Sequence, residues 1–204
     1  MDATLDLPAP DLSVNETAFF AGVPRSRVEK AVEGGIAEPR RPQPRVQSGA
    51  RPPLRLPVAA VAFFRAMERS GASALPAATR RAAWDRIVRD GPSPLALGEG
   101  LVLDVPALAG EAVSRARDYA EARAAHIASD PAVLGGTPVI RGTRLSVHAI
   151  RGRLDGGEAL DELCADYPEV PREAFEAARL FAAANPLRGR PRGRPWRGAP
   201  VAAG

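Results

Sequence analysis

The chain has one cysteine, Cys164, so it has no partner for an internal disulfide. Aromatic residues make up only 5%, so any core must be built mainly from Ala, Leu and Val. His126 and His148 are the only histidines, and neither has an acid or a cysteine at metal-ligand spacing. Gly135-Gly136-Thr137 lacks the lysine that a phosphate loop needs after its glycines. Nothing is placed like a nucleophile elbow. These absences argue against an enzyme and predict no catalytic residue, metal or cofactor. No run of 18 apolar residues exists, so no membrane-spanning helix is expected. The start of the chain lacks a basic-then-apolar leader. With a lone thiol, a reducing cytoplasm is the expected compartment.

Lysine is nearly missing too. Lys30 stands alone among 28 basic residues. The net charge is +4, but it is unevenly placed. Pro39 to Pro57 carries Arg40, Arg41, Arg45, Arg51 and Arg55 with no acid. Pro186 to Gly204 carries Arg188, Arg190, Arg192, Arg194 and Arg197 with no acid, which leaves the rest of the chain at −6. A mildly acidic body with two basic strings points to anionic partners. A GC-rich genome, which favours Arg, Ala, Gly and Pro, is the bland alternative.

What is present centres on residues His126 to Val147. Asp130-Pro131 and Gly135-Gly136 are turn signals around short apolar runs. Pro138-Val139-Ile140 and Thr143-Arg144-Leu145 read as two extended segments reversing at Arg141-Gly142. Ser146 is suited to cap a helix beginning at Val147. Three short helices follow. Val147–Leu154 is broken by Gly156-Gly157. Glu158–Tyr167 carries Leu160, Leu163 and Cys164 at helical spacing and stops at Pro168. Pro171 opens a helix to about Ala184, with Phe175, Ala178 and Phe181 or Ala182 inward. Three helices with glycine turns make a helix-turn-helix shape, which either binds DNA or dimerises.

With these motifs, the stretch resembles the bacterial domain of unknown function four hundred thirty-three, found in VapB-type antitoxins of toxin–antitoxin operons. The carrying residues are Ile127, Asp130-Pro131, Gly135-Gly136, Pro138-Val139-Ile140, Arg141-Gly142-Thr143-Arg144 and Tyr167-Pro168.

Leu12 to Pro39 is the second informative stretch. Ser13 or Asn15 can cap a first helix. Ala18 and Ala21 permit close helix crossing, and Gly22 supplies a turn. Pro24 opens a second helix that ends at Gly34-Gly35, with Val28 and Val32 inward. This spacing resembles the helix-turn-helix opening of MerR-like regulators. By that resemblance, Arg25, Ser26 and Arg27, with Lys30, would face the major groove or its phosphates. The alternative is an ordinary αα-hairpin with solvated basic residues. Ile36 to Leu56 reads as a wing with Arg45 and Arg51 tracking phosphates, or equally as a loose basic loop, because its prolines oppose a regular sheet. Helices are expected from Pro57 to Arg69 and from Pro76 to Arg89, the latter with Trp84 in the core. A hairpin is expected around Gly98-Glu99-Gly100, and a helix from Pro106 to about Ala125.

After Asn185-Pro186 the helical pattern ends in a basic tail of low complexity, expected to be disordered when free. Pro191-Arg192-Gly193-Arg194-Pro195 matches the core of an AT-hook. The antitoxin resemblance implies a different use. Arg188, Arg190, Arg192, Arg194 and Arg197, with Trp196 as apolar anchor, would enter the acidic metal site of a PIN-type ribonuclease toxin.

The expectation is therefore a mainly α protein with short β hairpins, tandem helix-turn-helix-like modules and a disordered tail. It divides as 1–11 lead, 12–90 helix-turn-helix module, 91–125 hairpin and connecting helix, 126–185 antitoxin-family domain and 186–204 tail. The implied function is an antitoxin that neutralises its toxin, binds operator DNA and dimerises, without membrane contact. The alternatives are a stand-alone regulator with an AT-hook-like tail, and an interaction module that touches no DNA.

Overall fold

A computed structural model describes residues 11–40, 54–98 and 100–187. Strand β1 (Leu12–Ser13) leads directly into α1 (Val14–Ala21). The Ser13 hydroxyl accepts from the Glu16 N–H at 3.2 Å, and the Glu16 carboxylate accepts from the Ser13 N–H at 2.7 Å. This reciprocal capping box satisfies two helix-end donors. Gly22 ends α1 at φ 68°, a left-handed position that suits glycine. Pro24 then caps α2 (Arg25–Glu33).

Strand β2 (Arg55–Leu56) pairs antiparallel with β1, placing Leu12 opposite Leu56 and Ser13 opposite Arg55. Arg40 bridges Arg55 from the other side, through N–H to carbonyl bonds of 2.7 and 3.2 Å. Residues 41–53, most of the segment read as a wing or a loose loop, lie outside the described residues.

Helix α3 (Ala59–Arg69) buries Ala60, Val61, Ala62, Phe63, Phe64, Ala66 and Met67. A helix buried nearly all round belongs at the centre of a core. It lies against α1, against α4 (Ala77–Asp90) and against α5 (Val105–His126). Trp84 of α4 meets Phe63 edge-to-face at 5.4 Å. The hairpin of β3 (Leu95–Gly98) and β4 (Leu101–Leu103) anchors itself by burying Leu95 and Leu103. Directly after β4 the Asp104 carboxylate caps α5, accepting from the Ala107 N–H at 3.1 Å. Along α5, Val105, Ala109, Ala112, Ala116 and Ala120 form a buried stripe of mostly small side chains. Small side chains let α5 lie close to α3.

A second core gathers around Phe175. Strands β5 (Ile127–Ala128) and β6 (Val139–Ile140) pair antiparallel. The expected two-strand reversal at Arg141-Gly142 is therefore only partly realised. Val139-Ile140 is a strand whose ladder partner is Ile127-Ala128, and the segment returning after Arg141-Gly142 is tied to it by a single antiparallel bridge, Val139 to Ser146, and by the Ile140 N–H donating to the Leu145 carbonyl at 2.9 Å. The turn is closed by Thr143 N–H to the Ile140 carbonyl at 3.0 Å, with Gly142 at φ 78°. The Ser146 hydroxyl caps α6 (Val147–Asp155), accepting from the Ala149 N–H at 3.1 Å. α7 (Leu160–Asp166) is shorter than its apolar pattern suggests. It is capped by Glu162, which reaches back to the Ala159 N–H at 2.9 Å. α8 (Arg172–Ala184) buries Ala174, Phe175, Ala178 and Ala182 in this core, while Leu180 and Phe181 pack against the first one. Fully burying a side chain such as Phe175 stabilises by roughly 1.5–3 kcal/mol.

Eight α-helices and three two-stranded antiparallel sheets thus make up the described residues. None of the described helices is long and apolar enough to cross a membrane.

Candidate functional site

Of the nine residues of α2, only Val28 and Ala31 are buried. The short Gly22 turn holds α2 against α1 and leaves its other faces to solvent. Arg25, Ser26, Arg27 and Lys30 are all exposed. Ser26, Arg27 and Lys30 border a cleft of about 760 Å³ between α2 and the corner joining α3 to α4. Ser73 and Arg80 complete its polar rim, and Phe63, Phe64 and Met67 lie beneath. Arg80 is fixed by its Nε donating to the Leu75 carbonyl at 2.9 Å. Four of the expected DNA-facing residues therefore share one helix, and three share one cleft. Arg80 is a fifth polar neighbour that spacing alone did not single out.

Two of these cations have acidic partners. Arg25 Nε pairs with Glu29 at 2.7 Å, and Arg27 pairs with Glu68 while also donating to the Ser73 hydroxyl at 3.2 Å. All four side chains in these pairs are more than a third exposed. Such pairs contribute roughly 0–1 kcal/mol, so a phosphate can replace the carboxylate at little cost. Arg45, Arg51, Arg188, Arg190, Arg192, Arg194, Trp196 and Arg197 lie outside the described residues.

The helix-turn-helix is tied to α5 by a buried polar cluster that the sequence did not announce. The Glu16 side chain is 1% exposed. Tyr119 donates to Glu16 Oε1 at 2.6 Å, and Arg123 pairs with Oε2. Arg55 lies 3.7 Å from the same oxygen, and Arg123 also donates to the Asp11 carbonyl at 2.7 Å. Burial pushes the Glu16 pKa up. The Arg123 charge and the hydrogen bonds from Arg123, Ser13 and Tyr119 outweigh it and hold the carboxyl below its ordinary value. Burial and then the neighbouring Glu16 charge raise the Tyr119 hydroxyl. The only hint in sequence was Glu16 at the third position of a capping box, which predicts a cap and says nothing of α5.

At the far end of α5, Arg141 closes the helix. Its guanidinium donates to the carbonyls of Ala125 at 2.9 Å and Ala124 at 3.0 Å. A cation at a helix C-terminus meets both unsatisfied carbonyls and the negative end of the dipole. Further on, Arg153 pairs with Glu158 and Asp166 and stacks 5.7 Å from the Tyr167 ring. The hydrogen bonds from Arg153 to the two carboxylates raise its pKa. Burial, with Arg151 nearby, lowers that of His148. Cys164 is half-buried at the edge of the Phe175 core. Among the described residues no group of three or more His, Cys, Asp or Glu is gathered to hold a metal.

Residues 127–182, from β5 through most of α8, match the family model described as Protein of unknown function (DUF433). The protein y4eO of Sinorhizobium fredii (strain NBRC 101917 / NGR234) is 37% identical over 94 residues. That alignment covers 46% of this chain and 42% of y4eO, so the chain spans less than half of that relative. The crystal structure of Rv2018 from Mycobacterium tuberculosis aligns over 85% of this chain and 98% of its own, with 20% identity and a TM-score of 0.36.

Proposed function

We propose that this protein is the antitoxin of a type II toxin–antitoxin system. In this reading it binds operator DNA through α2 and neutralises a PIN-type ribonuclease toxin through residues 186–204. The observation that carries the DNA-binding half is the exposure of the polar residues of α2. Arg25, Ser26, Arg27 and Lys30 stand exposed on a helix that buries only Val28 and Ala31. Arg40 and Arg55 are bridged through their backbones, and the sequence between them carries Arg45 and Arg51 with no acid. Phosphate contacts from the arginines would set register, and Ser26 and Arg25 at the first turn would meet base edges.

The toxin-binding half rests on the family match of residues 127–182 and on five arginines with Trp196 and no acid in the tail. Arginine recognises carboxylates through a planar fork, so a threaded arginine would compete with metal and RNA phosphate in an acidic nuclease site. Dimerisation would give the two-fold symmetry that a palindromic operator needs.

Expression of the native operon with and without residues 186–204, followed by co-purification, tests the toxin-binding half. A small nuclease that co-purifies only with the full chain supports it. A chain that brings down no partner, and that shifts A·T-rich DNA only when its tail is present, replaces it with the stand-alone regulator. Arg25→Glu with Arg27→Glu tests the DNA-binding half. Operator affinity should fall, and the slope of its logarithm against log salt should flatten by about 1 for each lost phosphate contact. Unchanged affinity would make the chain an interaction module without DNA contact.

A further inference from the structure

A second groove opens on the other side of α2. It has a volume of about 450 Å³, and Asn15, Arg25, Glu29, Val32, Glu33, Leu54 and Asn185 line it. Its acids are Glu29 and Glu33, one helical turn apart. Val32 is half-buried, and Leu54 is 37% exposed beside it. Asn185 brings the end of α8 to the rim, where the Asn15 side-chain amide donates to Asn185 Oδ1 at 3.3 Å. Two residues later Leu187 is 70% exposed. The next residues are Arg188, Arg190 and Arg192, with no acid through residue 204.

We propose that residues 188–192 of this chain dock in this groove, with alternate arginines pairing Glu29 and Glu33. Three observations select this occupant over any other. Asn185, three residues before Arg188, stands at the rim of the groove. The charge of the tail is opposite to that of the acids. The spacings also agree: residues four apart on a helix rise about 6 Å, and alternate residues of an extended chain stand about 6.6 Å apart. Glu33 has no ion-pair partner among the described residues, whereas Glu29 is held by Arg25. A docked tail arginine therefore competes with Arg25 for Glu29 and releases the Arg25 guanidinium toward solvent. On the proposed function, this links tail capture to DNA binding. A partner that takes the tail returns Glu29 to Arg25 and weakens the DNA-facing side.

The docking itself is tested without DNA or toxin, so its failure leaves the proposed function standing. Trypsin cleaves after Arg188, Arg192 and Arg197, each followed by glycine, and spares Arg190 and Arg194, each followed by proline. The full chain is compared with a Glu29→Gln/Glu33→Gln variant, with cleavage at each bond read by mass spectrometry. Two surface ion pairs predict cleavage at Arg188 and Arg192 about threefold slower in the unsubstituted chain at low salt. The difference should disappear at high salt. Arg197, beyond the docked segment, is cut at the same rate in both. Glu38→Gln, which removes an acid outside the groove, should leave the protection in place. Equal rates at Arg188 and Arg192 in chains that both keep their helical circular dichroism overturn the proposal. Loss of protection by Glu38→Gln alone also overturns it.

Discussion

Tyr119 on α5 donates its hydroxyl to Glu16 on α1 at 2.6 Å, across 103 positions of sequence. One carboxylate thus serves as the cap of the first helix and as the bolt between the helix-turn-helix and the long helix behind it. Removing Glu16 leaves Arg123 partly buried and without its charge partner. Glu16→Ala should cost about 3–5 kcal/mol in urea unfolding, since breaking one side of a buried pair exposes the desolvation penalty of the other. Arg123→Ala should cost less, because Tyr119 and the Ser13 N–H still satisfy Glu16. A double-mutant cycle showing no coupling would remove the cluster from the account of stability.

The same carboxylate gives stability an acid-side pH dependence. Its pKa is lowered in the fold from an ordinary 4.5, so the unfolded chain takes up the proton first as pH falls. Its contribution is fully present above about pH 5 and drains below pH 4.5 toward the lowered native value. Urea midpoints measured between pH 3 and pH 6 should fall more steeply for the unsubstituted chain than for Glu16→Gln. Parallel curves would mean that Glu16 titrates alike in both states.

Arg141→Ala should unfasten the end of α5. The side chain donates to two helix-terminal carbonyls and is itself exposed, so the expected loss is about 1–2 kcal/mol. Arg141→Lys should recover little, because an ammonium cannot span both carbonyls with a planar fork. Hydrogen exchange should speed up in the last turn of α5 and leave the amides of α3 unchanged.

Gly22→Ala should destabilise by about 1–2 kcal/mol, because the residue sits at φ 68° in the left-handed region. The added methyl would come 3.2 Å from Arg65 Nη1, the far end of a side chain that can move. Backbone strain is therefore the larger part of the cost. Thermal melting checks it, and a neutral result would show that the turn tolerates the substitution.

Phe175→Ala should cost about 3–5 kcal/mol, since the ring is fully buried at the centre of the second core. Because α8 also leans on the first core through Leu180 and Phe181, both cores should melt together. Two separated transitions in calorimetry would show them to be independent.

Much of this fold was legible in the chain. Ser13, Gly22, Pro24, Ser146, Gly156-Gly157 and Pro168 mark helix ends by chemistry that acts within four residues, and the helices begin or stop close to those marks. Trp84 and Phe175 sit in cores because helical periodicity placed them on apolar faces. The exposed row from Arg25 to Lys30 followed from the same periodicity. Strand pairing was harder to read. Strands of two residues carry almost no alternation, so Ile127-Ala128 gave no sign that it would pair with Val139-Ile140. Likewise β2 found β1, more than 40 residues earlier.

The sequence by itself determined where helices start and stop, which faces are apolar and where the arginines are concentrated, because caps, glycine turns and periodicity are local. Only the tertiary structure decided that Glu16 would be buried against Tyr119 and Arg123, that Arg141 would close α5, and that Asn185 would meet Asn15 beside Glu29 and Glu33. Those relationships depend on packing that brings distant segments together, and no rule of short range encodes them.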